Sequence, residues 1–147
     1  MYANCGRTKE WKNVNYLGMN KMYLIDSDTL IALGRGRSVV QEKMNSVGME
    51  NCFLSEISLA ELYVGVYKGF GNEAFIAFLE QNFKVLPISP AIKTFAQIRA
   101  QVEQKGNRID KLDLFIAATA LCNDYTLVTH NTRHFSRIPG LKLEDWL

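Results

Sequence analysis

The chain is poor in the residues that form disulfides and zinc sites. Its 147 residues include three cysteines, Cys5, Cys52 and Cys122, which are far apart and form no CxxC pair. This spacing argues against a disulfide framework and favours buried free thiols in a reducing compartment. The two histidines, His130 and His134, are four residues apart, and no third soft ligand accompanies them. A zinc site is therefore not expected.

Motifs of several large protein classes are missing as well. The chain has no GxSxG, no P-loop and no GxGxxG, because Gly34-Arg35-Gly36 lacks the third glycine. No apolar run approaches the roughly 20 residues that a membrane helix needs, so we expect a cytoplasmic protein. Residues 1–21 lack the apolar core of a signal peptide. We interpret them as an unstructured leader or an overcalled start, and residues 22–147 as one domain.

The bulk composition is that of a globular domain. Hydrophobic residues make up 48% and charged residues 22% of the chain, and the net charge is +2. A chain of this length can bury a real core. The mildly basic balance is compatible with nucleic-acid binding but does not establish it.

Strands alternate with helices along the domain. Short apolar runs predict strands at 21–26, 51–56, 83–88, 125–130 and 142–146. Helical patterns are found at 29–34, 37–48, 58–69, 72–82, 90–106 and 112–124. This alternation predicts an α/β domain with a mainly parallel sheet, whose active site would lie outside the carboxyl ends of the strands.

Acidic and polar side chains recur where predicted strands give way to helices or loops. They are Asp26, Asp28, Glu61, Asp113 and the run Thr129, His130 and Asn131. Carboxylates from turns far apart in the chain are expected to gather at one edge of the sheet. Such a cluster favours a hard divalent cation, Mg²⁺ or Mn²⁺, and metal-dependent phosphodiester hydrolysis.

Helix capping is the alternative explanation for most of these acids. Asp28 is a natural N-cap, SLAE (58–61) forms a capping box with Ser58 at its start, and DKLD (110–113) resembles one. Caps contribute roughly 0.5–2 kcal/mol without any catalytic role. Asp26 is different, because a carboxylate that closes an apolar strand is costly to desolvate unless a cation or donors compensate it.

Arginines near these segments are candidates for contacts with RNA phosphates, and a solvated surface is the alternative for each. Arg133 is the strongest candidate because it lies in the fourth polar segment. Arg35 is the second that we select, and the remaining candidates are Arg37, Arg108 and Arg137.

Four segments of the chain resemble a known family. They are MYLIDSDTLIAL, ISLAELYVGV, GNRIDKLDLFIAATAL and TLVTHNTRHFSRIPGLKLEDW. In this order and spacing, Met22 to Trp146 is similar to the PIN domain and, within it, to the VapC-type toxins of bacterial toxin–antitoxin modules. The resemblance implies a three-layer α/β/α sandwich with a mainly parallel sheet of four to five strands. It also implies a dimeric Mg²⁺- or Mn²⁺-dependent endoribonuclease, with tRNA a plausible target, which a cognate antitoxin neutralises by inserting a peptide segment near the active site.

The resemblance also assigns roles to residues. The three principal acids of the family match Asp26, Glu61 and Asp113, of which Asp26 and Asp113 would ligate the metal directly. Glu61 would bind metal or orient water. The polar residues Asp28, Thr129 and Asn131 would complete the site.

One position departs from the family pattern. Several relatives have a fourth acid directly before the phenylalanine of the last motif, where this chain has His134 before Phe135. His134 would serve in proton transfer, contact RNA, or lie on a surface loop without a function. The departure motivates one alternative, a catalytically weak PIN scaffold that binds an antitoxin or another partner. A second alternative, independent of His134, is a metal-dependent nuclease that acts on DNA or broadly on single strands.

Overall fold

The computed structural model describes residues 20–147, so the predicted leader at 1–21 lies almost entirely outside the described residues. Five strands alternate with seven helices in this part of the chain. The strands are β1 (Tyr23–Ile25), β2 (Cys52–Ser55), β3 (Lys84–Leu86), β4 (Thr126–Val128) and β5 (Leu143–Glu144). The helices are α1 (Ser27–Gly34), α2 (Ser38–Val47), α3 (Glu56–Tyr67), α4 (Glu73–Asn82), α5 (Ile92–Gln104), α6 (Lys111–Asn123) and α7 (Thr132–Phe135), with 3-10 turns at Met49–Asn51 and Ser89–Ala91.

All five strands form one parallel sheet in the order β3-β2-β1-β4-β5. From β1 the chain moves to β2 and β3 on one side, and it then returns to β4 and β5 on the other side. The order of the strands therefore reverses between β1 and β4, and in open α/β sheets ligands bind at such a point, outside the carboxyl ends of the strands. The predicted parallel α/β fold is confirmed.

Side chains from alternate strand positions build two separate cores, one on each face of the sheet. Leu24 and Leu127 point to a core that contains α5 and α6. Their neighbours Tyr23, Ile25 and Val128 point to a second core that contains α1 to α4. Because the side-chain period of a strand is two, this distribution places helices on both faces and produces three layers.

The helix starts differ in detail from the capping that the sequence predicts. Asp26, not Asp28, is the N-cap of α1, and its carboxylate accepts from the backbone N–H of Ser27. Helix α3 begins at Glu56, and Ser55 Oγ accepts from the N–H of Ser58 at 2.9 Å, so the predicted capping box at Ser58 is wrong. Helix α1 begins one residue after β1 and α3 begins directly after β2, so each cap lies at the end of its strand. The predicted cap at Asp110 on α6 is confirmed.

Within residues 20–147, no helix is both long and apolar enough to cross a membrane.

Candidate active site

Acidic side chains converge at the carboxyl edge of the sheet, where β1 and β4 lie side by side. Each comes from a different element of the fold. Asp26 follows β1, Asp28 lies in the first turn of α1, Glu61 in α3, Asp113 in the first turn of α6, and Thr129 follows β4. Burial raises the pKa of Asp26, Glu61 and Asp113, and the charge of Asp28 adds to all three shifts, so these side chains share one electrostatic environment.

Asp26 is the most deeply buried acid of the cluster, with 5% of its surface exposed. Its Oδ1 accepts from the N–H of Ser27 at 2.8 Å, and its Oδ2 accepts from the hydroxyl of Thr129 at 2.9 Å. Burial, together with the charge of Asp28, raises the pKa of Asp26 to about 7 although both hydrogen bonds oppose the shift. The two donors hold the carboxylate in place, but they do not supply the positive charge that would keep it ionised.

Asp28 joins the end of β4 to the start of α1. Its Oδ1 accepts from the N–H of Thr29 at 2.6 Å, and its Oδ2 accepts from the N–H of His130 at 3.0 Å. The hydroxyl of Thr129 lies 3.3 Å from Oδ2 and accepts from the N–H of Asn131 at 3.1 Å. The side chain of Asn131 is exposed and donates to none of the carboxylates in residues 20–147. In the segment 129–131, after β4, the backbone N–H groups therefore contribute as many hydrogen bonds to the site as the side chains do.

Glu61 and Asp113 form the second half of the cluster. The hydroxyl of Ser27 donates to Oε1 of Glu61 at 3.3 Å. Burial and the charge of Asp113 raise the pKa of Glu61. Burial also raises the pKa of Asp113; the neighbouring His134 opposes this shift, and Asp110 adds to it. Each carboxylate thus makes its neighbour harder to ionise, so a cation between them would stabilise both charged forms.

His134 lies against Asp113, with Nε2 3.0 Å from Oδ2, and both side chains are about a quarter exposed. The two atoms are within ion-pair distance, but among residues 20–147 this nitrogen has no partner with hydrogen-bond geometry. His134 therefore belongs to the acidic cluster and is not a remote loop residue. Arg133 precedes it on α7, is exposed, and forms no ion pair with a carboxylate of residues 20–147.

A cavity of about 160 Å³ adjoins the site on the side of α3. Its lining includes Glu61, the exposed Arg35, and the aromatic rings of Phe70 and Phe75. Gly65 follows Glu61 by one helical turn and lines the same cavity, where a Cβ would meet no atom within 4 Å. Arg35 is therefore on the Glu61 side of the site.

The donor set suits a hard divalent cation. Carboxylate and hydroxyl oxygens are the ligands that Mg²⁺ and Mn²⁺ take, and the raised pKa values of Asp26, Glu61 and Asp113 mark carboxylates that a positive charge would stabilise. As the side chains stand in residues 20–147, no three His, Cys, Asp or Glu groups converge tightly enough to enclose an ion. Mg²⁺ usually keeps several waters and needs only one or two carboxylates, so an open set of this kind fits it.

Two site residues escape sequence reasoning. Ser27, between Asp26 and Asp28, bridges to Glu61 across the site, and the only sequence signal is its position between two acids. Asp110 acts as a cap, but it also adds to the charge around Glu61 and Asp113. One residue thus has both the structural and the electrostatic role that the sequence presents as alternatives.

Known proteins with this fold and sequence pattern form one group. The PIN domain model matches residues 23–141. The tRNA(fMet)-specific endonuclease VapC of Salmonella typhimurium is 32% identical over 130 residues, which are 84% of this chain and 97% of the relative. Ribonuclease VapC1 of Rickettsia felis is 34% identical over 128 residues, 82% of this chain and 92% of the relative.

Solved structures agree with the sequence relatives. A chain in the crystal structure of Rickettsia felis VapBC2, bound to a promoter DNA fragment, superposes with a TM-score of 0.77 at 28% identity, covering 86% of this chain and 99% of that one. DNA-bound VapBC from Salmonella typhimurium superposes with a TM-score of 0.77 at 30% identity, covering 86% of this chain and 99% of that one. The chain belongs to the PIN-domain family, within its VapC branch.

Proposed function

We propose that this chain is a metal-dependent endoribonuclease that hydrolyses RNA phosphodiesters and acts as the toxin of a toxin–antitoxin pair. The observation that carries the proposal is the acidic cluster at the switch point of the sheet, where Asp26 has a pKa raised to about 7. Relatives over most of the chain are named as a tRNA(fMet)-specific endonuclease and as ribonucleases. A tRNA is therefore the first substrate to test.

Asp26 and Asp113 are the proposed direct ligands of Mg²⁺ or Mn²⁺, and Glu61 binds the ion or orients water. When bound, the ion would polarise the scissile phosphodiester and lower the pKa of the attacking water. The exposed Asn131 is free to turn toward substrate phosphate oxygens as a hydrogen-bond donor. Asp28 adds negative charge beside Asp26.

The chain's own residues hold these groups in place. The N–H of Ser27 and the hydroxyl of Thr129 hold the two oxygens of Asp26, and the hydroxyl of Ser27 orients Glu61. Because these donors lie on rigid element ends, little reorganisation is needed when the substrate arrives. His134, 3.0 Å from Asp113, is positioned to carry a proton at the edge of the site.

The proposed partners follow from the same branch of the family. The neighbouring structures are complexes of toxin with antitoxin, which supports an antitoxin partner for this chain. A homodimer and a cytoplasmic location complete the proposal. Co-expression with the product of a short open reading frame directly upstream, followed by co-purification, tests the partner.

Cleavage of tRNA and of other structured RNA, with Mg²⁺ or Mn²⁺ and with EDTA, tests the activity. We expect cleavage only with metal, and none by Asp26→Asn at any metal concentration. The matched control is Asp124→Asn, an exposed aspartate in the left-handed region of φ that asparagine tolerates. Activity that survives chelation, or that survives Asp26→Asn, would contradict the mechanism. Parallel digestion of DNA oligonucleotides separates a ribonuclease from a nuclease of broader specificity.

The contact between His134 and Asp113 supports one alternative, a scaffold with little activity. A histidine beside a proposed metal ligand competes with the ion for that carboxylate when it is protonated. Titration calorimetry with Mn²⁺ distinguishes the two: tight antitoxin binding without any heat from Mn²⁺ would favour the scaffold.

A further inference from the structure

A large concave surface lies between the end of α5 and the start of α6, outside the acidic cluster. Its volume is about 720 Å³, within the range of roughly 300–1,000 Å³ that is usual for ligand sites. The connection of six residues, 105–110, closes one end of it. Its lining includes Arg99, Val102, Glu103, Arg108, Lys111 and Leu114. We call this surface the α5–α6 cleft.

The cleft carries an excess of positive charge. Arg99 Nε is paired with Glu103 Oε1 at 2.8 Å, so these two charges offset each other. Arg108 and Lys111 are exposed, and neither forms an ion pair with a carboxylate of residues 20–147. Two cations thus line the same concavity, and no carboxylate of the described residues neutralises either of them. An apolar floor that includes Leu114 lies beneath them.

The cleft is next to the candidate active site. Lys111 is the first residue of α6, directly after the cap residue Asp110, and Asp113 lies in the same first turn. The start of α6 therefore borders both the cleft and the acidic cluster. Lys111 and Leu114 share one helix face and Asp113 lies on another. A ligand that extends from Asp113 into the cleft must therefore cross the start of α6.

We propose that the α5–α6 cleft binds a backbone phosphate of the RNA substrate, on one side of the bond that is cleaved, through Arg108 and Lys111. The proposal rests on the proposed function, because the ligand is that substrate. Four acids around the scissile bond repel the neighbouring phosphates, so cations just outside the cluster are needed to hold the strand. Arg108 offers a planar fork for phosphate oxygens and Lys111 a mobile point charge.

Contacts of this kind bind the strand without reading its bases. Substrate affinity should therefore depend on Arg108 and Lys111 for any RNA sequence, whereas the chemical step should not. Neither Arg35 nor Arg133 lines the cleft, so neither occupies the position of this pair. Single-stranded DNA of equal length carries the same phosphates and should lose affinity in parallel.

The test compares the double variant Arg108→Ala/Lys111→Ala with the matched double variant Lys68→Ala/Lys93→Ala. The control removes the same charge from exposed positions outside the cleft. Fluorescence anisotropy with a labelled single-stranded RNA, in EDTA and over a series of salt concentrations, measures binding without cleavage. Two lost phosphate contacts should reduce the slope of log K against log salt by about 1.4 and raise the Kd about tenfold or more at low salt.

Kinetics with metal provide the second measurement. The cleft variant should have a raised KM and an unchanged kcat, and Arg108→Lys/Lys111→Arg, which keeps both charges, should recover most of the affinity. Circular dichroism and melting temperature, compared with the wild type, confirm that each variant is folded. If Arg108→Ala/Lys111→Ala binds RNA with the same Kd and salt dependence as the control variant, the cleft proposal is overturned even if the wild type cleaves RNA. A wild type that binds RNA through the cleft but never cleaves it would overturn the proposed function alone.

Discussion

Replacing Asp26 with asparagine is expected to stabilise the metal-free protein while it abolishes activity. Asp26 is 95% removed from solvent, and its pKa is raised from 3.8 to about 7. A shift of about three units corresponds to roughly 4 kcal/mol of unfavourable free energy when the carboxylate is ionised in the folded state. Asparagine has nearly the same shape, can accept from the N–H of Ser27, and carries no charge.

The sign of the pH dependence follows from the direction of the shift. Between pH 3.8 and about 7, the folded state keeps the proton on Asp26 while the unfolded state has lost it. The free energy of unfolding of the wild type therefore falls as pH rises through this window, and the loss is complete above the folded pKa. The advantage of Asp26→Asn should grow by roughly 3 kcal/mol between about pH 5 and about pH 8.

Urea denaturation in EDTA, for the wild type and Asp26→Asn at both pH values, measures this difference. The control variant Asp124→Asn, at an exposed position, should show no comparable change with pH. Addition of Mg²⁺ near pH 8 should stabilise the wild type much more than Asp26→Asn, because the variant has lost one of the two proposed ligands. If Asp26→Asn exceeds the wild type in free energy of unfolding by the same amount at both pH values, the claim that the buried, ionised Asp26 destabilises the folded state is refuted.

Two further variants test the surroundings of the acids. Thr129→Val keeps the shape but removes the hydroxyl that donates to Asp26, and it should lower the free energy of unfolding by about 1.5–3 kcal/mol. Thr94→Val is the matched control, because the buried hydroxyl of Thr94 has no hydrogen-bond partner among residues 20–147. In the same urea experiment this variant should have a free energy of unfolding equal to or higher than that of the wild type. His134→Ala should raise the pKa of Asp113, because His134 lowers it in the wild type, and so shift the acid limb of kcat/KM to higher pH. An unmoved acid limb would mean that the ionisation of Asp113 does not govern activity.

The fold was predictable because its signals are local. Short apolar runs such as YLI (23–25) and TLV (126–128) can only be buried on both faces, as a central parallel strand is. The polar residues that follow those runs, Asp26 and Thr129, then had to lie at one edge of the sheet. Asp26 was singled out by the cost of desolvation, and burial raises its pKa to about 7.

The details of the site were not predictable, because they depend on distances that no local pattern fixes. The capping box at 58–61 has the correct spacing, but the chain turns three residues earlier, at Ser55, where the strand ends. The contacts of Ser27 with Glu61 and of His134 with Asp113 join residues from separate elements. A sequence pattern identifies polar residues of this kind, whereas only the packing of the helices decides which of them meet.

The hydrogen bond between Thr129 and Asp26 has a consequence for the synthesis of the protein. It joins residues that are 103 positions apart, and it forms only after β4 has paired with β1. A growing chain therefore carries most of its acids early but has no complete site until the last part of the domain has been made and the sheet has closed. An enzyme that cuts RNA is in this way without a complete site until the segment that carries Thr129 has been made and has folded onto β1.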